Sequence, residues 1–208
     1  MTNVVKGVLI YGFGGVVLAG APCFTAGLQE LASDQIPELA RDAKVELPLS
    51  DPRIEIGLQR MTLALYDGDV MIKRYDIGYG QQMPGKLDQR ADSTPVGTYR
   101  IVSKDIRKDV LARGSRFMAI DFPSLENAQD AYVMGVITHA DFTRIHDAHA
   151  LGHVPPGDTA LGGPVGIQGN YFFFRPRRFT DGSIALSNGD VNELFEHVPL
   201  GTPVIIDY

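Results

Sequence analysis

The chain has 208 residues, of which 44% are hydrophobic and 21% charged, with a formal net charge of −6. That length and apolar content give one domain with a core of its own plus an appendage, and exclude a disordered chain. Only 19 residues are Lys or Arg against 25 Asp or Glu, which leaves no basic footprint for nucleic acid. Cys23 is the single cysteine, which excludes an internal disulfide framework and a cysteine-built zinc site.

In chain order, Gly7 to Leu28 comes first, 22 residues without a charge. About 20 apolar residues cross a bilayer core. Lys6 precedes the stretch and Glu30 and Asp34 follow it, so the positive-inside rule puts the N-terminus in the cytoplasm and the body outside. A cleaved signal peptide would cut after Ala19-Gly20-Ala21 and leave Pro22 at the new terminus. A lipoprotein would be anchored through Cys23, directly after the same proline. The reading adopted is an uncleaved signal anchor over residues 1–28. Gly15, Ala19 and Cys23 form a small-residue stripe through which such a helix approaches another.

Residues 29–53 read as a linker with a short helical stretch from Asp34 to Ala43 and a turn cluster at Pro48, Ser50, Asp51 and Pro52. Met61 to Tyr66 and Val70 to Ile77 read as strands around Asp67-Gly68-Asp69, a hairpin. Gly78 to Asp92 reads as a loop, and Thr98 to Ser103 as a strand after the turn Thr94-Pro95-Val96-Gly97. Ser124 caps a helix over Leu125–Val133, and Thr138 caps one from His139 to Ala150 with Gly152 as its stop. Pro155 to Gly169 is rich in glycine and proline. Tyr171 to Phe174 is an aromatic run. Asn188 is expected to cap a helix over Asp190 to His197, and Val204 to Ile206 is a last strand.

Four segments in this order resemble the L,D-transpeptidase family, the YkuD-type domain that cross-links peptidoglycan. They are the Leu63–Gly78 hairpin, Thr94-Pro-Val-Gly-Thr-Tyr-Arg-Ile101, Leu161-Gly-Gly-Pro-Val-Gly-Ile-Gln-Gly169, and the stretch from Thr180 to Ile206. The last contains Thr180-Asp-Gly-Ser-Ile-Ala-Leu-Ser-Asn188 and Leu200-Gly-Thr-Pro-Val-Ile-Ile206. The region around Pro123 and the 138–159 insert are most similar to the YafK-like branch. The resemblance implies an α+β, β-rich domain with a few short helices over residues 54–208, and the uncharged span sets one transmembrane helix before it.

The family reaction is acyl transfer through a thioester, with a cysteine thiolate as nucleophile, a histidine to activate it and backbone N–H groups for the oxyanion. Aligned on those motifs, this sequence has Ser183 for the cysteine, Gln168 for the histidine of the I-H-G segment, and Asp181 for the histidine two residues before the nucleophile. Gln168 has no titratable group and cannot act as a general base. The motif positions Gly169, Gly182 and Asn188 are kept, and Gly166 with them. The resemblance therefore implies a retained fold with a degenerate site, and no cofactor.

The other candidates are weaker. His146, His149 and His153 share a helical face and His139 lies nearby, but no ligand pattern accompanies them, so no metal site is assigned. His197 falls in the last turn of a helix, where it favours the dipole. Tyr171 to Phe174 with Arg175, Arg177 and Arg178 form an aromatic and basic loop before the site, suited to docking a ligand or partner, and the binding candidates are Tyr171 and Arg178 with the motif positions Gly169, Gly182 and Asn188. Three functions stay open. The first is an accessory or structural subunit of a membrane or envelope complex, held to an integral-membrane partner through residues 7–28 and an exposed face. The second is a transpeptidase or carboxypeptidase using Ser183. The third is a muropeptide-binding protein with no reaction.

Overall fold

A computed structural model describes residues 34–85, 92–108, 114–170 and 177–208. These belong to one unit that begins at Asp34. Its spine is an eight-stranded sheet in the order β3-β2-β1-β10-β5-β6-β7-β9. In chain order the strands are β1 (Pro52–Gly57), β2 (Thr62–Asp67), β3 (Val70–Asp76), β5 (Gly97–Ile106), β6 (Arg116–Ile120), β7 (Gly166–Gln168), β9 (Ile184–Ala185) and β10 (Pro203–Asp207). β4 (Tyr79–Gly80) pairs in parallel with β8 (Arg178–Thr180) as a small second sheet. The described helices are α1 (Ile36–Asp42), α2 (Leu125–Val133), α3 (His139–Leu151) and α4 (Asn188–His197).

The expected hairpin forms, with β2 and β3 antiparallel around Gly68 at φ +55°. The C-terminal strand inserts in the middle of the sheet, parallel to β1 and antiparallel to β5. Alternate residues of these three strands (Ile54, Ile56, Tyr99, Ile101, Val204 and Ile206) are buried in one core. Burying each aliphatic side chain contributes roughly 1.5–3 kcal/mol, so a tail of alternating apolar residues is sufficient reason for β10 to hold that central place.

The two expected caps are present as full capping boxes. Ser124 Oγ accepts from Asn127 N at 3.1 Å, and Asn127 Oδ1 accepts from Ser124 N at 3.1 Å. Thr138 and Asp141 exchange the same two bonds at 3.1 and 3.2 Å, and Gly152 closes α3 in the left-handed conformation at φ +66°. The cap of α4 differs from expectation. Ser187, not Asn188, holds it, its Oγ accepting from Asp190 N at 3.0 Å. Asn188 sits inside the first turn because its side chain is engaged elsewhere.

From Asp34 onward, the stretch read as a linker packs with the domain. Ile36 and Leu49 enter the main core, and Gln35 N donates to the buried Glu193 at 2.7 Å. The polar turn residues around Pro48 had concealed those two anchors. No helix among the described residues is long and apolar enough to cross a membrane, and the uncharged span 7–28 lies outside them.

Candidate functional site

The register of three short strands brings the singled-out residues together. β7 and β9 are parallel, with Ile167 opposite Ile184 and Gln168 opposite Ala185. Gln168 therefore ends one strand beside the turn that carries Ser183 into the next. Gln168, Asp181 and Ser183 all line a groove of about 520 Å³, together with Gln81, Asp92, Arg107, Phe117, Asn170, Phe179 and Thr180.

Thr180 shapes the turn. Its Oγ1 donates to Ser183 O at 2.5 Å and accepts from Gly182 N at 3.3 Å. Gly182 lies at φ +114°, a region closed to residues with a Cβ, so the tight turn needs this glycine. Ser183 is 4% exposed. Ala185 N and O are both bonded to Gly78 at 2.8 Å, which fixes the far side of the turn.

Gln168 is committed to a partner that the sequence did not indicate. Arg107 Nη1 donates to Gln168 Oε1 at 3.1 Å, and the guanidinium carbon stands 4.0 Å from the centroid of the Phe117 ring. The Gln168 oxygen is thus occupied by a cation, and the ring holds that cation in place. An uncharged amide accepts this bond at no electrostatic cost, whereas an imidazolium there would face a like charge. Arg107 was missed because a lone arginine at the end of a strand carries no motif. Thr180 was missed because its role lies in backbone geometry.

Two glycines sit at tight approaches next to these segments. A Cβ on Gly169 would fall 2.2 Å from Asn188 Oδ1, and one on Gly114 would fall 2.4 Å from the Gly169 backbone. Tyr171 and the aromatic run after it lie outside the described residues. Arg178 is exposed and lies over the Tyr79 ring at 5.7 Å. Among the described residues no cluster of three His, Cys, Asp or Glu side chains suits a metal. His149 instead contacts Pro123 O at 2.8 Å and His197 contacts Asp34 at 2.5 Å.

The family model of the YkuD L,D-transpeptidase catalytic domain matches residues 51–206. The chain belongs to that family. No curated protein matches the sequence. Among solved structures, the L,D-transpeptidase-like domain is similar to Bd1075 of Bdellovibrio bacteriovorus, at TM-score 0.50 and 16% identity over 76% of this chain and 48% of that one. It is also similar to the helical cell shape determining protein Pgp2 of Campylobacter jejuni, at TM-score 0.47 and 17% identity over 85% of this chain and 55% of that one. A mutant L,D-transpeptidase of Enterococcus faecium follows at TM-score 0.44 and 19% identity, over 76% and 50%. The chain spans about half the length of these proteins, and the likeness to Bd1075 concerns the fold alone.

Proposed function

We propose that this protein is a catalytically silent L,D-transpeptidase domain that serves as an accessory or structural subunit of a cell-envelope complex. The observation that carries the reading is the pair at the reacting centre. A buried serine hydroxyl stands where the family has its thiolate, and the amide oxygen of Gln168 is held by Arg107 where the family has its imidazole. A serine needs a base to become a nucleophile, and an amide cannot take its proton.

In this reading residues 7–28 tether the domain to the inner membrane, with the N-terminus cytoplasmic and the domain periplasmic. The uncharged span and the charges flanking it support that orientation. An integral-membrane partner would meet the span and an exposed face of the domain. The turn between α2 and α3 supports such a face, since Tyr132, Val133, Met134 and Val136 are all exposed there. The full-length protein should stay with membranes through alkaline carbonate extraction. A soluble periplasmic form with a mature N-terminus near Pro22 would remove the tether from the account.

The test of silence is incubation of the wild type with a carbapenem, read by intact mass. The expected spectrum shows unmodified protein, and an adduct on Ser183 would favour a serine-dependent peptidoglycan transpeptidase or carboxypeptidase. The polar groove of about 520 Å³ supports a second reading, a muropeptide-binding protein. Calorimetric binding of a tetrapeptide muropeptide without turnover would select it.

A further inference from the structure

Asn188 is a position shared with the family motif, and its contacts give it a role apart from any reaction. We infer that Asn188 is the positioning residue of the groove wall: it clamps Ser115 and Asn170, whose segments adjoin Arg107 and the end of the Gln168 strand, independently of any reaction.

Its Oδ1 accepts two backbone N–H bonds, from Ser115 at 3.1 Å and from Asn170 at 3.2 Å. Two donors converging on one atom require the oxygen of the amide there. Ser115 is tied a second time, its Oγ donating to Asn192 Oδ1 at 2.6 Å. Asn188 and Asn192 are one helical turn apart on α4, so a single helix face grips the loop twice. The clamp reaches the groove along two short routes. Arg107 N donates to Ser115 O at 3.0 Å, which holds the backbone from which the Arg107 side chain reaches Gln168. On the other side, Asn170 is only two residues beyond Gln168.

Two features show that the wall needs a clamp. Asn170 sits at φ +77° and is 4% exposed, an uncommon backbone conformation held inside the protein. Gly114, at φ +77°, and Gly169 bring two backbones so close that neither admits a side chain. Side-chain packing therefore cannot fix this junction, and hydrogen bonds to the helix do so instead.

The test is residue-resolved amide hydrogen exchange on the full chain, with the wild type, Asn188→Ala and Asn188→Asp. Asn188→Ala removes the acceptor. It should speed exchange at Ser115 and Asn170 by about tenfold, the scale of one lost hydrogen bond. The Arg107 side-chain Nε–H resonance should shift, while the amides of β1 and β10 keep their rates. Asn188→Asp restores an acceptor of the same shape and should return both loop amides to within about threefold of wild type. Unchanged rates at Ser115 and Asn170 in Asn188→Ala would overturn the assignment. A uniform acceleration that includes β1 and β10 would also overturn it, because it would mean a general loss of stability. Should Asn188→Ala not fold, Asn188→Asp decides alone: lost protection at Ser115 and Asn170 there contradicts the clamp.

Discussion

Two polar clusters in this molecule are built to opposite rules. Around Glu193 on α4, charge is buried and fully compensated. The carboxylate is 4% exposed by residue and accepts from Lys73 Nζ at 2.6 Å, Tyr75 Oη at 2.8 Å and Gln35 N at 2.7 Å. In the groove, two of the positions that titrate in an active relative carry neutral side chains, Ser183 and Gln168, the third is the carboxylate Asp181, and Arg107 is pinned against an amide and a phenyl ring. The first cluster joins α1, β3 and α4 and cannot lose a partner without leaving a buried group unsatisfied. The second can change its reacting atoms because Gly182, Thr180 and Asn188 hold its backbone. In the proposed reading, fold and chemistry are separable, and the separation runs between residues that shape the chain and residues that would react.

Breaking the Glu193 cluster should produce the largest effect. Glu193→Ala leaves Tyr75 Oη and Gln35 N without this acceptor and Lys73 with only the more distant Asp190 carboxylate at 3.9 Å, and should cost about 3–5 kcal/mol in urea unfolding. Glu193→Gln, which keeps the shape, should cost less. Equal costs for the two would mean that the charge carries the whole effect, and a Glu193→Gln cost near zero would mean that the charge contributes nothing.

Gly182→Val should come next, at about 1–3 kcal/mol, since a β-branched residue cannot adopt φ +114° without strain. An unchanged melting temperature would show that the turn before Ser183 is not held as described. Gly201→Ala offers a control, because no atom lies within 4 Å of its Cβ position although it too has positive φ.

The smallest effect sharpens the comparison by pH. Burial raises the hydroxyl pKa of Tyr75 well above the ordinary 10.0, and the Glu193 carboxylate raises it further. Tyr99 is raised in the same way, by burial and then by Asp121 and Glu126. A raised folded pKa means that the unfolded chain releases protons first as pH climbs past 10. The stability is thus fully present below pH 10 and declines above it. Melting temperatures should be flat through neutral pH and fall from about pH 10, less steeply in Tyr75→Phe. An identical alkaline slope in that variant would detach Tyr75 from the effect.

Legibility in the sequence followed the range of the interactions. Ser124 and Thr138 announced α2 and α3 because a capping box is written within four residues. The β2–β3 hairpin was legible from its alternation and its turn. β6 was not, because Arg116–Ile120 buries four successive residues and so shows no alternation. β7, β8 and β9 hold two or three residues each and exist through register with distant partners, which no local propensity encodes. At the site, the motif resemblance located Ser183, Gln168 and Asp181, and the structure sets all three on one groove. Arg107 lies 61 residues from Gln168, so their contact follows from topology alone. Asn188 looked like a helix cap because asparagine commonly is one, but Ser187 took that role and freed Asn188 to hold the loops.

The central claim, that the fold is intact and the chemistry absent, is tested most directly by acyl-enzyme formation on a tetrapeptide donor. Intact mass should be read for wild type, Ser183→Cys, Ser183→Cys with Gln168→His, and that pair with Asp181→His. Wild type should show no adduct. Ser183→Cys supplies a thiol that is partly thiolate near neutral pH, yet it lacks a base worth about 10²–10⁴-fold and should stay near background. An adduct should appear only when a histidine joins the cysteine. Acylation of the wild type at a rate comparable to the Ser183→Cys, Gln168→His protein would contradict the account, and would mean that Asp181 or a base beyond these positions serves Ser183.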